Sequence, residues 1–449
     1  MLHLFVFSCL FSGLLAQDAQ PDMIIEVFRH GARAPSSNQY DSTWTNLGEL
    51  TEVGMRMHYV LGKALALKYP NIFQSFDPSK IFVRSTDVNR TIMSVYSQLY
   101  GLFDGKGNSF PEDFPMNLTY PPYDQEIIDE VVTQLENTTS YLPFNYQAVP
   151  VHVMALSRDQ QLTPGYACPN AQNWQNTRIN DANMKGVFNS LSDITSKLKD
   201  KGIIVNDMWD YFNLGDTLAC NIAEGKPLPG GIKEGDELFN GAIYAFEWFT
   251  NYMFAGAGNL IPTYSFALLD QINTWFNQKA NGKTTLNAVL LSAHDTTLLS
   301  LLGAFGVVTP DCLTQNYFNQ SQGRVIPYPN CTYPTFASQL IFELYNTSEP
   351  YIKVFYKGAP IPICGSNTCT LAKFGQYIQT ITSGYNQDQF NNECGLVTPV
   401  TNDSSTAWAW IFGLSATVLT AAVLILYSQR RKGVRVTNRL KEQSKHLLP

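Results

Sequence analysis

The stretch Ile24-Ile25-Glu26-Val27-Phe28-Arg29-His30-Gly31-Ala32-Arg33-Ala34-Pro35 decides how this chain folds. An apolar run stops abruptly at Arg-His-Gly-x-Arg, which predicts a buried strand delivering one imidazole and two guanidiniums to its C-terminal tip. Gly31 and Pro35 mark the turn that follows. Open α/β sheets place their ligand sites at that edge. Two arginines beside a histidine suit a small, multiply charged anion, and phosphate is the leading candidate. Alone, the stretch is also compatible with a charged surface turn, so its meaning depends on what else reaches the same edge.

Two further segments point there. Ala288 to Ser292 is a second short apolar strand, running into Ala293-His294-Asp295-Thr296-Thr297. A helix beginning at that point would add backbone donors for an anion. Ile81-Phe82-Val83-Arg84 again ends in arginine before the helical start Ser85-Thr86-Asp87-Val88-Asn89-Arg90-Thr91. The chain has six histidines, His3, His30, His58, His152, His294 and His446. His58, on a helical stretch, reads as packing or surface, and His152 as an indirect support of the site.

Around these tips the pattern is that of an α/β protein. Asp22 to Arg29 reads as a strand, and Phe342 to Tyr345 with Ile352 to Tyr356 as a hairpin late in the sheet. Helices are expected over Thr51 to Tyr69, where Thr51 can cap and Pro70 follows, and over Lys185 to Lys199, Phe239 to Phe254 and Thr296 to Phe305. Residues 120–285 are mostly helix and loop and are expected to cap the sheet edge.

The ends carry addresses. Met1 to Ala16 reads as a secretory signal, although it lacks an early Lys or Arg. Residues 17–400 then form the ectodomain and 401–406 a polar stalk. Ala407 to Tyr427 holds no charge and is long enough to cross a hydrocarbon core of about 30 Å. Trp408 and Trp410 mark its outer edge, and the basic tail 428–449 marks the cytoplasmic side. The expectation is a type I, single-span membrane protein of the lysosome or the cell surface. Seven sequons, at Asn89, Asn117, Asn137, Asn319, Asn330, Asn346 and Asn402, agree with a lumenal body. Asn89 lies beside the Arg84 motif and is left out of the glycosylation candidates.

The tail from Ser428 holds seven Lys/Arg and one Glu, which leaves the rest of the chain near −13. So acidic a body is a poor nucleic-acid binder, and an anion site in it must be a local arginine cluster. Beyond Cys9 in the signal, Cys168, Cys220, Cys312, Cys331, Cys364, Cys369 and Cys394 read as disulfides with one thiol left over. No cysteine is followed by arginine at the Cys-x5-Arg spacing, and His and Asp are too sparse for a two-metal site.

Arg-His-Gly-x-Arg at 29–33, Arg-Ser-Thr-Asp-x-x-Arg-Thr at 84–91 and His-Asp-Thr-Thr at 294–297 together resemble the histidine acid phosphatases. With a signal and an anchor, the prostatic and lysosomal branch is nearest. Pro150-Val151-His152-Val153, Leu340 to Tyr345 and the Cys364/Cys369 segment share the likeness, which spans nearly the whole ectodomain. The resemblance implies a mixed sheet flanked by helices with a smaller, mostly helical cap domain, as in phosphoglycerate mutase-like folds. It implies His30 as nucleophile, Arg29, Arg33, Arg84 and His294 as phosphoryl ligands, and Asp295 as proton donor to the leaving group.

The arginines should keep His30 neutral in acid and draw Asp295 below the usual value of about 3.9. A phosphate monoester ionises a second time near ~6. An acid optimum follows, with no cofactor and no metal. The resemblance also implies Cys168–Cys394 and Cys364–Cys369 disulfides. Gln339 stands where relatives have a cysteine, so Cys220 is left to pair with Cys312 or Cys331, or those two to close a loop of their own. Ala32 stands where this branch usually has Asp and phytases often have Ala. Phytase-like or lipid-phosphate hydrolysis, and an inactive anion-binding receptor, are the alternatives, and a homodimer is compatible with the sequence.

Overall fold

The computed structural model describes residues 19–135 and 140–396. The signal, the sequons at Asn137 and Asn402, the stalk, the apolar stretch 407–427 and the tail lie outside the described residues. Among the described residues no helix is long and apolar enough to cross a membrane.

Eight strands form one mixed sheet: β1 (Met23–Arg29), β2 (Ile81–Thr86), β3 (His152–Met154), β4 (Ala288–Ala293), β5 (Gln339–Tyr345), β6 (Tyr351–Tyr356), β7 (Ala359–Ile361) and β8 (Cys369–Thr370). Their order is β3-β2-β4-β1-β5-β6-β7, with β8 also pairing β6. The first four neighbours run parallel, whereas β5 lies antiparallel to β1 and begins a meander. β1 is therefore central, its Arg29 level with Ala293 of β4.

Every residue of β1 is buried, which explains why it reads as a continuous apolar run. Its side chains alternate between two cores. Ile24 and Phe28 pack with α1 (Glu52–Lys68) and α2 (Asn89–Leu102), through Leu65, Val95 and Leu99. Met23, Ile25 and Val27 join a larger core with α3 (Met208–Ala223), α4 (Glu237–Phe254), α5 (Ile261–Ala280) and α6 (Asp295–Ala304). The helices between residues 182 and 280 thus share one continuous core with that face of the sheet. Glu26 is the polar exception inside β1, and Gln98 of α2 donates to its Oε2 at 2.6 Å.

The turn after β1 rests directly on α1. A Cβ added at Gly31 would lie 2.3 Å from the carbonyl oxygen of Gly54, and one added at Gly54 would lie 2.1 Å from that of Ala32. Only two glycines permit that backbone approach. Thr51 caps α1 as expected, its Oγ1 accepting from the Gly54 N–H at 3.2 Å.

The expected helix 185–199 is two helices, Ala182–Ser190 and Ser192–Asp200, meeting at Leu191. Leu191 turns inward to the core, so the chain changes direction there. Among the described residues there are three disulfides, Cys168–Cys394, Cys364–Cys369 and Cys312–Cys331, and Cys220 is free. The pairing of Cys220 with Cys312 or Cys331 is thereby corrected. Cys220 is buried in α3 beside Ala34 and Trp44. Cys331 folds back onto the helix Pro310–Ser321 that carries Cys312, where Asn316 Nδ2 donates to the Tyr328 carbonyl at 2.7 Å.

Candidate active site

The tips of β1 and β4 and the start of α2 converge on a cavity of about 320 Å³. His30, Arg33, Arg90, His294 and Asp295 line its polar end. Each gets there by a different local rule. His30 and Arg33 follow the end of a buried strand, His294 is the cap residue of α6, and Arg90 lies in the first turn of α2.

His30 is 2 % exposed, and its Nδ1 sits 2.9 Å from the Gly31 carbonyl oxygen. A carbonyl only accepts, so Nδ1 carries the hydrogen and Nε2 presents a lone pair. Burial holds the imidazole well below its ordinary value, and the charges of Arg90, Arg29 and Arg33, with His294, push the same way. His294 is likewise lowered, to about 3, by burial and then by Arg90. Its Nδ1 accepts from Arg90 Nη2 at 3.4 Å, and its Nε2 meets Thr86 Oγ1 at 3.0 Å. Both histidines are therefore neutral across the whole physiological range.

Arg33 is fixed by Asp216 of α3, which accepts from Nη2 at 2.8 Å and Nη1 at 3.1 Å. The same carboxylate accepts from the Ser36 N–H at 2.7 Å, so it orients the turn as well as the guanidinium. Asp295 is held on one oxygen by Arg29 Nη2 at 2.7 Å and by the Tyr333 hydroxyl at 2.8 Å. Burial alone would raise this carboxyl. Arg29, the Tyr333 hydrogen bond, Arg33 and His294 outweigh it and hold Asp295 below the usual carboxylate range.

Arg29 stands behind the pocket wall, its guanidinium stacked 4.4 Å from the Phe336 ring centre and donating to the Pro334 carbonyl at 2.8 Å. Arg84 does not reach the pocket. It forms an ion pair with buried Asp159 and donates to Gln161 Oε1 at 2.5 Å. The second guanidinium lining the pocket, beside Arg33, is instead Arg90, six residues on in the same motif, with no carboxylate partner among the described residues. Burial and the nearby arginines lower it to about 10, so it remains charged.

His58 is fully buried, its Nδ1 2.9 Å from Gln98 Oε1. His152 pairs in register with Arg84 and stacks on Phe82 at 5.3 Å. Sequence reasoning missed Arg90, Asp216 and Tyr333. Arg90 was visible in the motif, whereas Asp216 lies in an ordinary helix and Tyr333 in an irregular segment without local signal.

Among the described residues no group of three or more His, Cys, Asp or Glu is arranged to hold a metal. The arrangement supplies a neutral nucleophilic nitrogen, two guanidiniums lining the pocket, a neutral imidazole and one carboxyl group that can exchange a proton. Such a set can bind a phosphoryl group and move it to nitrogen.

Comparison with known proteins gives three findings. A model of the histidine phosphatase superfamily (branch 2) matches residues 22–357. A putative acid phosphatase 5 of Caenorhabditis elegans is 26% identical over 91% of this chain and 87% of its own length. Lysosomal acid phosphatase of Xenopus laevis is 26% identical over 93% of this chain and 89% of its own, and human prostatic acid phosphatase 23% identical over 78% and 83%. Among solved structures, the phytase from D. castellii superposes with a TM-score of 0.55 at 17% identity, covering 84% of this chain and 82% of its own. Hafnia alvei phytase in complex with myo-inositol hexakis sulphate gives 0.51 at 12% identity, covering 80% and 96%.

Proposed function

The chain belongs to the histidine phosphatase superfamily, branch 2, and from that premise we propose that it is an acid phosphatase hydrolysing phosphate monoesters through a phosphohistidine. The orientation of His30 carries this reading: Nδ1 is committed to the Gly31 carbonyl, which leaves Nε2 as the free nucleophile beside Arg33 and Arg90.

In the first step Nε2 of His30 attacks phosphorus while the ester P–O bond breaks. The Asp295 carboxyl gives its proton to the departing oxygen. Arg33 and Arg90 face the phosphoryl oxygens, where their donors offset the charge of the transition state, and neutral His294 accepts from Arg90 beside them. In the second step water attacks phosphorus, the Asp295 carboxylate takes its proton, and the P–N bond breaks to release phosphate and restore His30. Arg29 acts through Asp295, holding the carboxyl in place from behind.

Because guanidiniums supply the positive charge, the reaction requires no metal. The first step needs Asp295 protonated although its partners favour the carboxylate, so activity falls as pH rises toward neutral.

We also propose the topology expected from the sequence: a cleaved signal, a lumenal catalytic body and one C-terminal span at 407–427. The two tryptophans at its edge and the basic tail support it. The relatives named lysosomal support a lysosomal or secretory-route location.

The deciding experiment uses the full-length protein and its His30→Ala variant with p-nitrophenyl phosphate at pH 5. The wild type should turn over, unaffected by a chelator, and trap an acid-labile phosphoenzyme. The variant should do neither. Equal rates in the two would remove the proposal.

A further inference from the structure

Away from the phosphoryl end, the cavity changes character. Its far wall is built from Phe212 of α3, Phe246 and Phe254 of α4 and Tyr264 of α5, with Gln172 and Gln175 at the margin. The rings form one surface: Phe212 lies 5.5 Å from Phe246 and 6.1 Å from Phe254 between centres. Phe246 in turn lies 5.4 Å from Tyr333, the residue that holds Asp295. An aromatic wall therefore runs from Tyr333, beside the place where the leaving group departs, through Phe246 and Phe212 to Phe254.

Charge is absent from that wall. Among the described residues lining the cavity, the only Lys or Arg are Arg33 and Arg90, both at the phosphoryl end. Two buried cations near it are committed elsewhere. Arg178 donates to the carbonyls of Tyr252 and Ala257, and Arg84 is paired with Asp159. A second phosphate on the substrate would lie against phenyl rings with no counter-charge, and an unpaired anion is strongly disfavoured in such a setting.

Resting on the phosphatase reading above, we infer that this cavity selects esters carrying a single phosphoryl group on an apolar, aromatic alcohol and rejects polyphosphorylated ones. The leaving-group chemistry points the same way. Asp295 is held as the carboxylate by Arg29 and Tyr333. A phenol, with a pKa near ~10, departs with less help from that proton than an aliphatic alkoxide does. As the bond from His30 Nε2 to phosphorus forms and the ester P–O bond breaks, the aryl oxygen leaves as phenolate and takes its proton from water, and the ring remains stacked on the phenylalanine wall until it diffuses out.

The test compares kcat/KM of the full-length protein at pH 5 for phenyl phosphate and for myo-inositol hexakisphosphate. Phenyl phosphate should be favoured by about 100-fold or more, as expected when a buried charge goes unpaired. Phe254→Lys, which places a cation on the wall, should shrink that ratio by about tenfold. Phe212→Ala should lower kcat/KM for phenyl phosphate more than for glycerol phosphate.

Calorimetry on His30→Ala, with benzylphosphonate and myo-inositol hexakis sulphate as non-reacting probes, separates selectivity from turnover. Tighter binding of benzylphosphonate with no hydrolysis of any ester would keep the selectivity and remove the phosphatase reading. Equal or better use of the hexakisphosphate, equal losses for both esters in Phe212→Ala, or tighter binding of the hexakis sulphate would each overturn the inference.

Discussion

Arg29 and Asp295, one from the last position of β1 and the other from the first turn of α6, meet at 2.7 Å with Arg29 almost fully buried. The proposed proton donor is thus held by a cation that does not line the substrate cavity, and Tyr333 donates to the same Oδ2 at 2.8 Å. Removing the hydroxyl takes away a hydrogen bond to the charged form, so the Asp295 pKa should rise. In Tyr333→Phe the falling limb of the pH–rate profile should move to higher pH by a fraction of a unit to one unit. A limb that stays put or moves down would show that Tyr333 does not tune Asp295.

Asp295→Asn removes the proton donor while keeping the shape. A loss of about 10²–10⁴ in kcat is expected for alkyl esters and a smaller one for aryl esters, since the latter need less protonation. Steady-state rates with glycerol phosphate and p-nitrophenyl phosphate report the difference. Equal losses for the two would argue against Asp295 as the acid.

Arg90 and Arg84 should separate cleanly. Arg90→Ala takes a guanidinium out of the cavity and should lower kcat/KM by about 10²–10³ with little change in melting temperature. Arg84→Ala leaves Asp159 buried at 0 % exposure without its partner, so about 3–5 kcal/mol of stability should be lost. Kinetics with thermal unfolding decides between them. A stable Arg84→Ala with collapsed activity would return Arg84 to the site.

Glu26 gives a stability signature. Burial raises its carboxyl from an ordinary 4.5 to about 8, opposed by the Gln98 hydrogen bond and by Lys68. A group raised on folding stabilises fully below its unfolded pKa, and that stability is lost as pH climbs through the folded value. Between pH 4.5 and 8 the wild type should therefore lose ground to Glu26→Gln, by roughly 3 kcal/mol at pH 7. The difference in melting temperature between the two, followed across that range, should be small in acid and widen with pH. A constant difference would mean that Glu26 does not titrate there.

Cys220 should be the one thiol left among the described cysteines, and a silent one. Burial raises it to about 12, with Asp216 acting in the same direction. Alkylation of the unreduced protein should label Cys220 only after denaturation, as peptide mass spectrometry can show. Labelling in the folded state, or of Cys312 or Cys331 without reduction, would contradict the pairing.

The three strand tips were legible because each is an apolar run interrupted by charge, and a buried strand has no other reason to end that way. The choice between Arg84 and Arg90 was not, since both sit in one octapeptide. It turns on which side of the strand-to-helix boundary faces the cavity, and the aspartate that claims Arg84 lies in a different part of the chain. Asp216 and Tyr333 were invisible for a related reason: a helical carboxylate and a tyrosine in an irregular segment gain their roles from what packs beside them. The break at Leu191 was lost because its neighbours continue the helical periodicity on both sides of it. Cys312 and Cys331 found each other through a local fold-back that spacing alone left as one of three arrangements.

The position of β1 between β4 and β5 has a consequence for the birth of the protein. His30 leaves the ribosome first, while both strands that flank β1 and the Asp295 that serves it come from the last third of the body. At about 5–20 residues per second, β1 waits on the order of tens of seconds for its neighbours, an apolar strand with both edges open. Chaperone cover is most needed in that interval, and a chain truncated before β4 would carry the entire Arg-His-Gly-x-Arg motif yet possess no catalytic centre.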